Sequence, residues 1–301
     1  MSFVTPRYLF NTAVILALSV CILPSNVRAE ESQFDYVYTT DMLPEGQKEI
    51  IQWATDSSGQ AKGNFDLLQG RTGFEYGVSD RFQAAVYANY AYATATGNGP
   101  TGATDVPSAI AGATAGSDGT LNAAHYVGTT LEGLYRILSP FTDGVGVSVL
   151  AEPTIGNNID EFDTRLILQK DFMDDQVVFA GNIEYIGEKI EPTGAAGFEP
   201  HAAVVLSGAG SYRFIEDWSG GLELVNQRDF GRLGLSHDLD SVFFLGPSVH
   251  YGNEAYFVTL GILDQLPIAD NYADHAELQD NRLLTGNFSK YQARMKFGYY
   301  F

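Results

Sequence analysis

The last eleven residues, Tyr291 to Phe301, constrain the chain more than any other stretch. Phe301, Tyr299, Phe297, Met295, Ala293 and Tyr291 alternate with Tyr300, Gly298, Lys296, Arg294 and Gln292. Side chains alternate between the two faces of a β-strand, so the first set makes an apolar, aromatic face and the second a mostly polar one. Such a strand wants hydrocarbon on one side and a wet, charged space on the other. A length of about ten residues suits a tilted strand crossing a bilayer. The competing arrangement is the edge strand of a soluble sandwich.

The rest of the chain repeats this pattern. It is 45% hydrophobic and only 18% charged, yet after residue 23 no continuously apolar stretch reaches the ~18 residues a spanning helix needs. Any crossing beyond that point must be by strands. Twelve segments have strand character: 48–58, 65–76, 81–94, 123–137, 145–155, 162–171, 176–187, 201–214, 218–229, 240–251, 255–265 and 289–301. Their connections alternate between short (Gly77 to Asp80, Ser139 to Gly144, Met173 to Asp175, Glu216-Asp217, Gly252 to Glu254) and long (Ala95 to Asn122, Gly156 to Glu161, Glu188 to Glu199, Gly231 to Asp238, Pro267 to Asn287). Short turns on one side and longer loops on the other are the habit of outer-membrane barrels. The fold class expected is therefore all-β, an antiparallel transmembrane β-barrel of about twelve strands occupying residues 48–301. Phe34 to Thr40 is also strand-like and would make thirteen, so either residues 30–47 form a non-spanning N-terminal periplasmic segment, as expected here, or the strand count is off by one pair. The Ala/Gly/Thr/Ser stretch from Ala95 to Thr120 reads as a mobile surface loop with nothing to pack a core of its own.

Residues 1–29 have the three-part layout of a secretory signal peptide: a basic start at Arg7, an apolar run from Ala13 to Leu23, then Pro24 and Val27-Arg28-Ala29. Cleavage after Ala29 removes Cys21, the one cysteine of the sequence. No disulfide framework or thiol chemistry is then expected.

Several stretches resemble known families. The C-terminal strand resembles that of bacterial outer-membrane proteins, which ends in Phe and is read by their insertion machinery. Tyr291, Met295, Phe297, Tyr299 and Phe301 are the residues this resemblance implies as a barrel-assembly signal. The opening Tyr38-Thr39-Thr40-Asp41-Met42-Leu43-Pro44-Glu45-Gly46, followed by Glu49 and Gln52-Trp53, resembles the start of a family of uncharacterised proteobacterial outer-membrane barrels. Arg71 to Phe82 continues the likeness. A weaker, fold-level similarity links the chain to barrels of aromatic-degradation pathways. These resemblances imply a location and a shape; they bring no activity with them.

Turning the more apolar alternate set of each strand to lipid sorts the charges. Phe82, Val86, Ala88 and Tyr90 face out while Gln83, Tyr87 and Asn89 face in; Val145, Val147, Val149 and Ala151 face out while Ser148 and Glu152 face in. The same sorting turns Glu75, Glu132, Glu152, Glu184 and Glu223 inward, together with Arg71, Arg136, Arg165, Arg213, Arg294 and Lys296. A charge facing lipid at the midplane costs on the order of 2–4 kcal/mol, so the inward placement is favoured physically too. These residues are the candidate lumen-lining and selectivity groups. They either pair and fill the lumen, since buried charges need partners, or line a water-filled path that orients a polar solute.

The net charge of −20 leaves no basic stripe to neutralise phosphates, so nucleic acid is not an expected partner. The expected partners are outer-membrane lipid and lipopolysaccharide, the barrel-assembly machinery, and small-molecule solutes. No cofactor and no metal are expected: His125, His201, His237 and His275 are scattered, and His237, Asp238 and Asp240 make only a weak cation pattern. Ser248 and His250 are the closest juxtaposition of a nucleophile and a base, but no third orienting group can be placed, so no enzyme is expected. The glycines are read as relieving crowding in a curved sheet. The function expected is a passive channel or uptake barrel in the bacterial outer membrane, with a closed, charge-paired structural or surface-interaction barrel as its rival. A lipid-modifying enzyme is the remaining alternative.

Overall fold

The computed structural model describes residues 33–60, 63–97, 108–113, 116, 120–191, 197–272, 278, 282–286 and 288–301. Residues 1–29, expected as a signal peptide, and His275 lie outside the described residues, as does part of the long Ala95 to Asn122 connection.

Among the described residues, twelve long strands and one two-residue strand follow one another. They are β1 (Lys48–Ser58), β2 (Asn64–Ser79), β3 (Phe82–Thr96), β4 (Leu121–Leu138), β5 (Gly146–Gly156), β6 (Ile159–Phe172), β7 (Val177–Ile190), β8 (Glu199–Ile215), β9 (Trp218–Phe230), β10 (Asp238–Gly252), β11 (Tyr256–Gln265), β12 (Asp270–Asn271) and β13 (Tyr291–Tyr300). Each long strand pairs antiparallel with its neighbours in sequence. β13 pairs on one side with β11 and on the other with β1, so the sheet closes. Closure removes the unpaired edges that no strand can carry through hydrocarbon. The twelve expected segments all form, most of them extended by a few residues at the long-loop end. β12 is an extra rung, pairing with the end of β10 beyond β11.

The expected two-faced pattern governs the wall. Phe82, Val86, Tyr90, Val149, Phe179, Leu206, Leu222 and Leu260 are exposed on the outside, while Gln83, Tyr87, Ser148 and Glu152 are buried inside. In β13, Tyr291, Met295, Phe297 and the following Phe301 lie exposed, and Lys296, Gly298 and Tyr300 are buried. Trp218, Tyr251 and Tyr256 meet with tilted rings at the short-turn end, the position of an aromatic girdle.

Two expectations are corrected. Residues 33–43, expected on the periplasmic side, run inside the barrel: Phe34, Asp35, Val37 and Thr40 have no exposed surface. Phe34 and Val37 pack on Val178 and Ala180, and Leu43 joins Ile51, Trp53, Ala85 and Tyr87. A thirteenth strand cannot enter a closed sheet, so this apolar segment finds its burial in the lumen. The long connection after β3 also has a core: Ile110, in the short 3-10 turn Ser108–Ile110, is fully buried against Phe65, Leu67, Ala91, Ala93 and Leu121. Small alanines on the inner face of β3 leave room for it.

Candidate functional site

The lumen divides into a filled half and a hollow half. In the half nearer the short turns, residues 33–43 arch up from Pro44, beside Gly77, and return toward the rim at Gln33. A segment inside the barrel with no strand partner must have its backbone polar groups satisfied by side chains of the wall. Glu223 accepts the N–H groups of Asp35 (2.7 Å), Tyr36 (2.7 Å) and Val37 (2.9 Å). Asn182 accepts the N–H of Tyr38 at 2.8 Å and donates to its carbonyl at 2.9 Å, as a strand neighbour would. Gln169 accepts from the N–H and hydroxyl of Thr40, and Gln83 from the N–H of Leu43. From the other side, Lys296 donates to the Phe34 carbonyl at 3.2 Å and Arg294 to the Asp35 carbonyl at 3.3 Å.

Two glycines set how closely the segment approaches. A Cβ on Gly261 would meet the Asp35 carboxylate at 2.6 Å, and one on Gly146 would run into the Thr40 hydroxyl. The glycines expected to ease curvature therefore also clear a track for the N-terminal segment. Burial raises the Asp35 carboxyl to about 6, with Arg294 and Lys296 pulling it down and Glu223 pushing it up.

Above the arch lies a chamber of about 390 Å³. Tyr36 and Tyr38 of the segment contribute to its lining, with Trp53, Thr55, Arg71, Glu152, Glu161, Asp163, Arg165, Glu184 and Arg294 of the wall; Ser108 and Ala109 of the 3-10 turn reach it from the long connection. Arg71 from β2 pairs with Glu152 from β5 and lies 3.8 Å from Glu132 of β4. Its guanidinium stacks over Tyr87 at 3.6 Å. Arg165 pairs with Glu184, its register partner on β7, and with Asp163 at 3.3 Å, and covers Tyr38 at 4.0 Å. Arg294 stacks on Tyr36 at 4.1 Å and donates to the Thr55 hydroxyl at 2.9 Å.

The eleven candidate lumen residues thus separate by depth. Arg71, Glu152, Arg165, Glu184 and Arg294 line the chamber. Glu132 and Glu75 stand behind Tyr87, whose hydroxyl donates to Glu75 at 2.6 Å. Glu223 and Lys296 hold the N-terminal segment. Arg136 and Arg213 sit at the short-turn rim, donating to the Asp80 carbonyl and to Asp175. A single alternation pattern gives facing but not depth, and so could not separate these groups. Gln169, Asn182 and Asp163 were missed as site residues, as were Tyr36 and Tyr38. The signal for the two tyrosines was the surplus thirteenth strand. Of the reactive candidates, His250 is buried, with its Nδ1 2.8 Å from the Thr259 hydroxyl, and Ser248 is buried too. Asp238 pairs with Arg228 at 2.5 Å, and no group of three metal-ligating side chains occurs among the described residues.

Residues 26–301 match the model of a family of unknown function, DUF6662. The chain belongs to that family. None of the curated proteins matches it. Among solved structures, the COG4313 outer-membrane channel from Pseudomonas putida F1 superposes with a TM-score of 0.58 at 12% identity, over 90% of this chain and 100% of that one. The NanC porin gives 0.49 at 10% identity over 84% of this chain and 98% of its own, and the KdgM porin 0.45 at 11% over 83% and 98%. The DUF6662 chain has an outer-membrane β-barrel fold, and its outward apolar belt belongs in the bacterial outer membrane.

Proposed function

We propose that this protein is a passive channel for uptake of small polar solutes, with its N-terminal segment as the constriction. The observation that carries this is the polar chamber of about 390 Å³ at the barrel centre, bounded toward the short turns by a segment that wall side chains hold in place. A barrel whose only task is mechanical gains nothing from a hollow lined by ionised groups, because each must be desolvated or hydrated there. Side-chain anchors, unlike strand pairing, let the segment leave without opening the wall. The fold shared with the COG4313 outer-membrane channel supports the same general role. The proposal assigns no reaction to the protein, and Ser248 and His250 no catalytic part.

The second reading is a closed barrel stiffened by paired charges. It is favoured by the ion pairs of two chamber arginines, Arg71 and Arg165. Planar-bilayer conductance separates the two. The mature protein should show small or intermittent currents, and deletion of residues 33–43 should give large, steady ones. A deletion variant that keeps its β-sheet circular dichroism but passes no ions would leave the closed barrel standing.

A further inference from the structure

The chamber's charges are unevenly partnered. In the ring of long strands β6 stands six places from β13, directly across the lumen. The β4–β7 side presents more carboxylates than cations: Glu132 and Glu152 meet Arg71, which reaches them from β2, and Asp163 and Glu184 meet Arg165. Glu161 and Glu188 form a further carboxyl pair whose hydrogen bond requires a shared proton, so it adds a single negative charge. On the β13 side Arg294 makes no ion pair among the described residues. Asp35 feels its charge, and shares that influence with Lys296.

Arg294 is also held ready. Its Nε is fixed by Thr55, one terminal nitrogen by the Asp35 carbonyl, and its plane by Tyr36 and Trp53. A guanidinium carries five N–H donors in a planar fork suited to a carboxylate. Two of Arg294's are taken by these contacts, and the side chain lines the chamber. A basic group that makes no ion pair among the described residues on one wall faces more carboxyls than cations on the other. A second anionic group on a solute would be repelled there, whereas an ammonium would be stabilised.

We infer that the chamber binds small zwitterionic solutes, with the carboxylate on Arg294 and the cationic end toward Glu161 and Asp163. This rests on the channel reading for its role in transport, though the binding itself does not require conduction. A chamber of about 390 Å³ is at the small end of ligand sites, which suits molecules of amino-acid size.

The test is calorimetric titration of the full mature protein in detergent with three probes of one chain length: ε-aminocaproate, caproate and adipate. The zwitterion should bind most tightly and the dianion most weakly. Arg294→Gln should weaken ε-aminocaproate by about tenfold or more, the worth of one charge-assisted hydrogen-bonded contact. Arg294→Lys, which keeps the charge but not the fork, should recover part of that loss. Glu161→Gln should narrow the gap between ε-aminocaproate and caproate while leaving caproate binding in place. Each variant is checked for native β-sheet circular dichroism. Adipate binding as tightly as ε-aminocaproate, unchanged affinity in Arg294→Gln, or no binding of any probe would each overturn the inference. Selective binding by a protein that never conducts would leave the site standing and remove the channel.

Discussion

The two halves of the lumen use the same kinds of residues for opposite ends. Toward the short turns, Glu223, Asn182, Gln169 and Gln83 spend their hydrogen-bonding capacity on the backbone of residues 33–43. Toward the long loops, Arg71, Arg165 and Arg294 stand around a hollow, held by carboxylates and aromatic faces. An inward carboxylate is thus not a functional class. Glu223 serves as three-point backbone anchor, while Glu184 neutralises an arginine beside the hollow. What differs is whether a main chain or open space lies opposite.

This contrast can be broken most forcefully at Glu223. Glu223→Ala removes the acceptor of three N–H groups, each charge-assisted bond being worth roughly 1.5–3 kcal/mol. Even with partial replacement by water, docking of the segment should weaken by on the order of 3 kcal/mol. Conductance should rise toward that of the deletion variant, with the barrel's sheet content unchanged. A Glu223→Ala protein conducting like the parent would show that the anchor is dispensable.

A smaller effect is expected from pH. The Asp35 carboxyl is raised to about 6 in the docked segment, against an ordinary 3.8, so docking favours its neutral form. That contribution is complete below the ordinary value and is lost as pH rises through about 6. Open probability should therefore climb between pH 4 and pH 7, and Asp35→Asn should flatten the climb. Arg294, Lys296 and Glu223 act on the same carboxyl. An unchanged profile in Asp35→Asn would assign the pH response elsewhere.

The smallest change in current is expected from Arg165→Gln, on the hollow side. It leaves Asp163 and Glu184 without their cation, which costs on the order of 3 kcal/mol of stability if neither takes up a proton. Reversal potentials in a salt gradient should shift toward cation preference while total conductance changes little. A large rise in conductance would mean that Arg165 also restrains the segment through its contact with Tyr38.

The wall was legible in the sequence because a period of two, sustained over ten or more residues against a hydrocarbon solvent, leaves one arrangement. The strand from Tyr291 to Tyr300 shows this, each expected face being the observed one. The contents of the lumen were legible only as a set of inward residues. Arg165 and Glu184 meet because β6 and β7 are neighbours, but Arg71 reaches Glu152 across three strand steps, a contact fixed by barrel curvature. Nothing in Gln83, Gln169 or Asn182 marks them as anchors, since an amide in a lumen is unremarkable until a backbone lies against it. The clue that was present was arithmetic: Phe34 to Thr40 had strand character but no place in an even, closed sheet. Its Phe, Val and Tyr side chains needed burial, and the lumen was the remaining dry space.

The central claim, that this segment lies inside the barrel, is tested most directly by labelling a single cysteine at Val37. The sequence has no cysteine after Cys21, so a chain beginning at residue 30 offers a clean background. A membrane-impermeant maleimide should leave Val37→Cys unmodified while it reacts readily with Ser79→Cys at a short turn, and adding Glu223→Ala should expose position 37. Labelling of Val37→Cys as fast as Ser79→Cys in the otherwise unaltered protein would contradict the account.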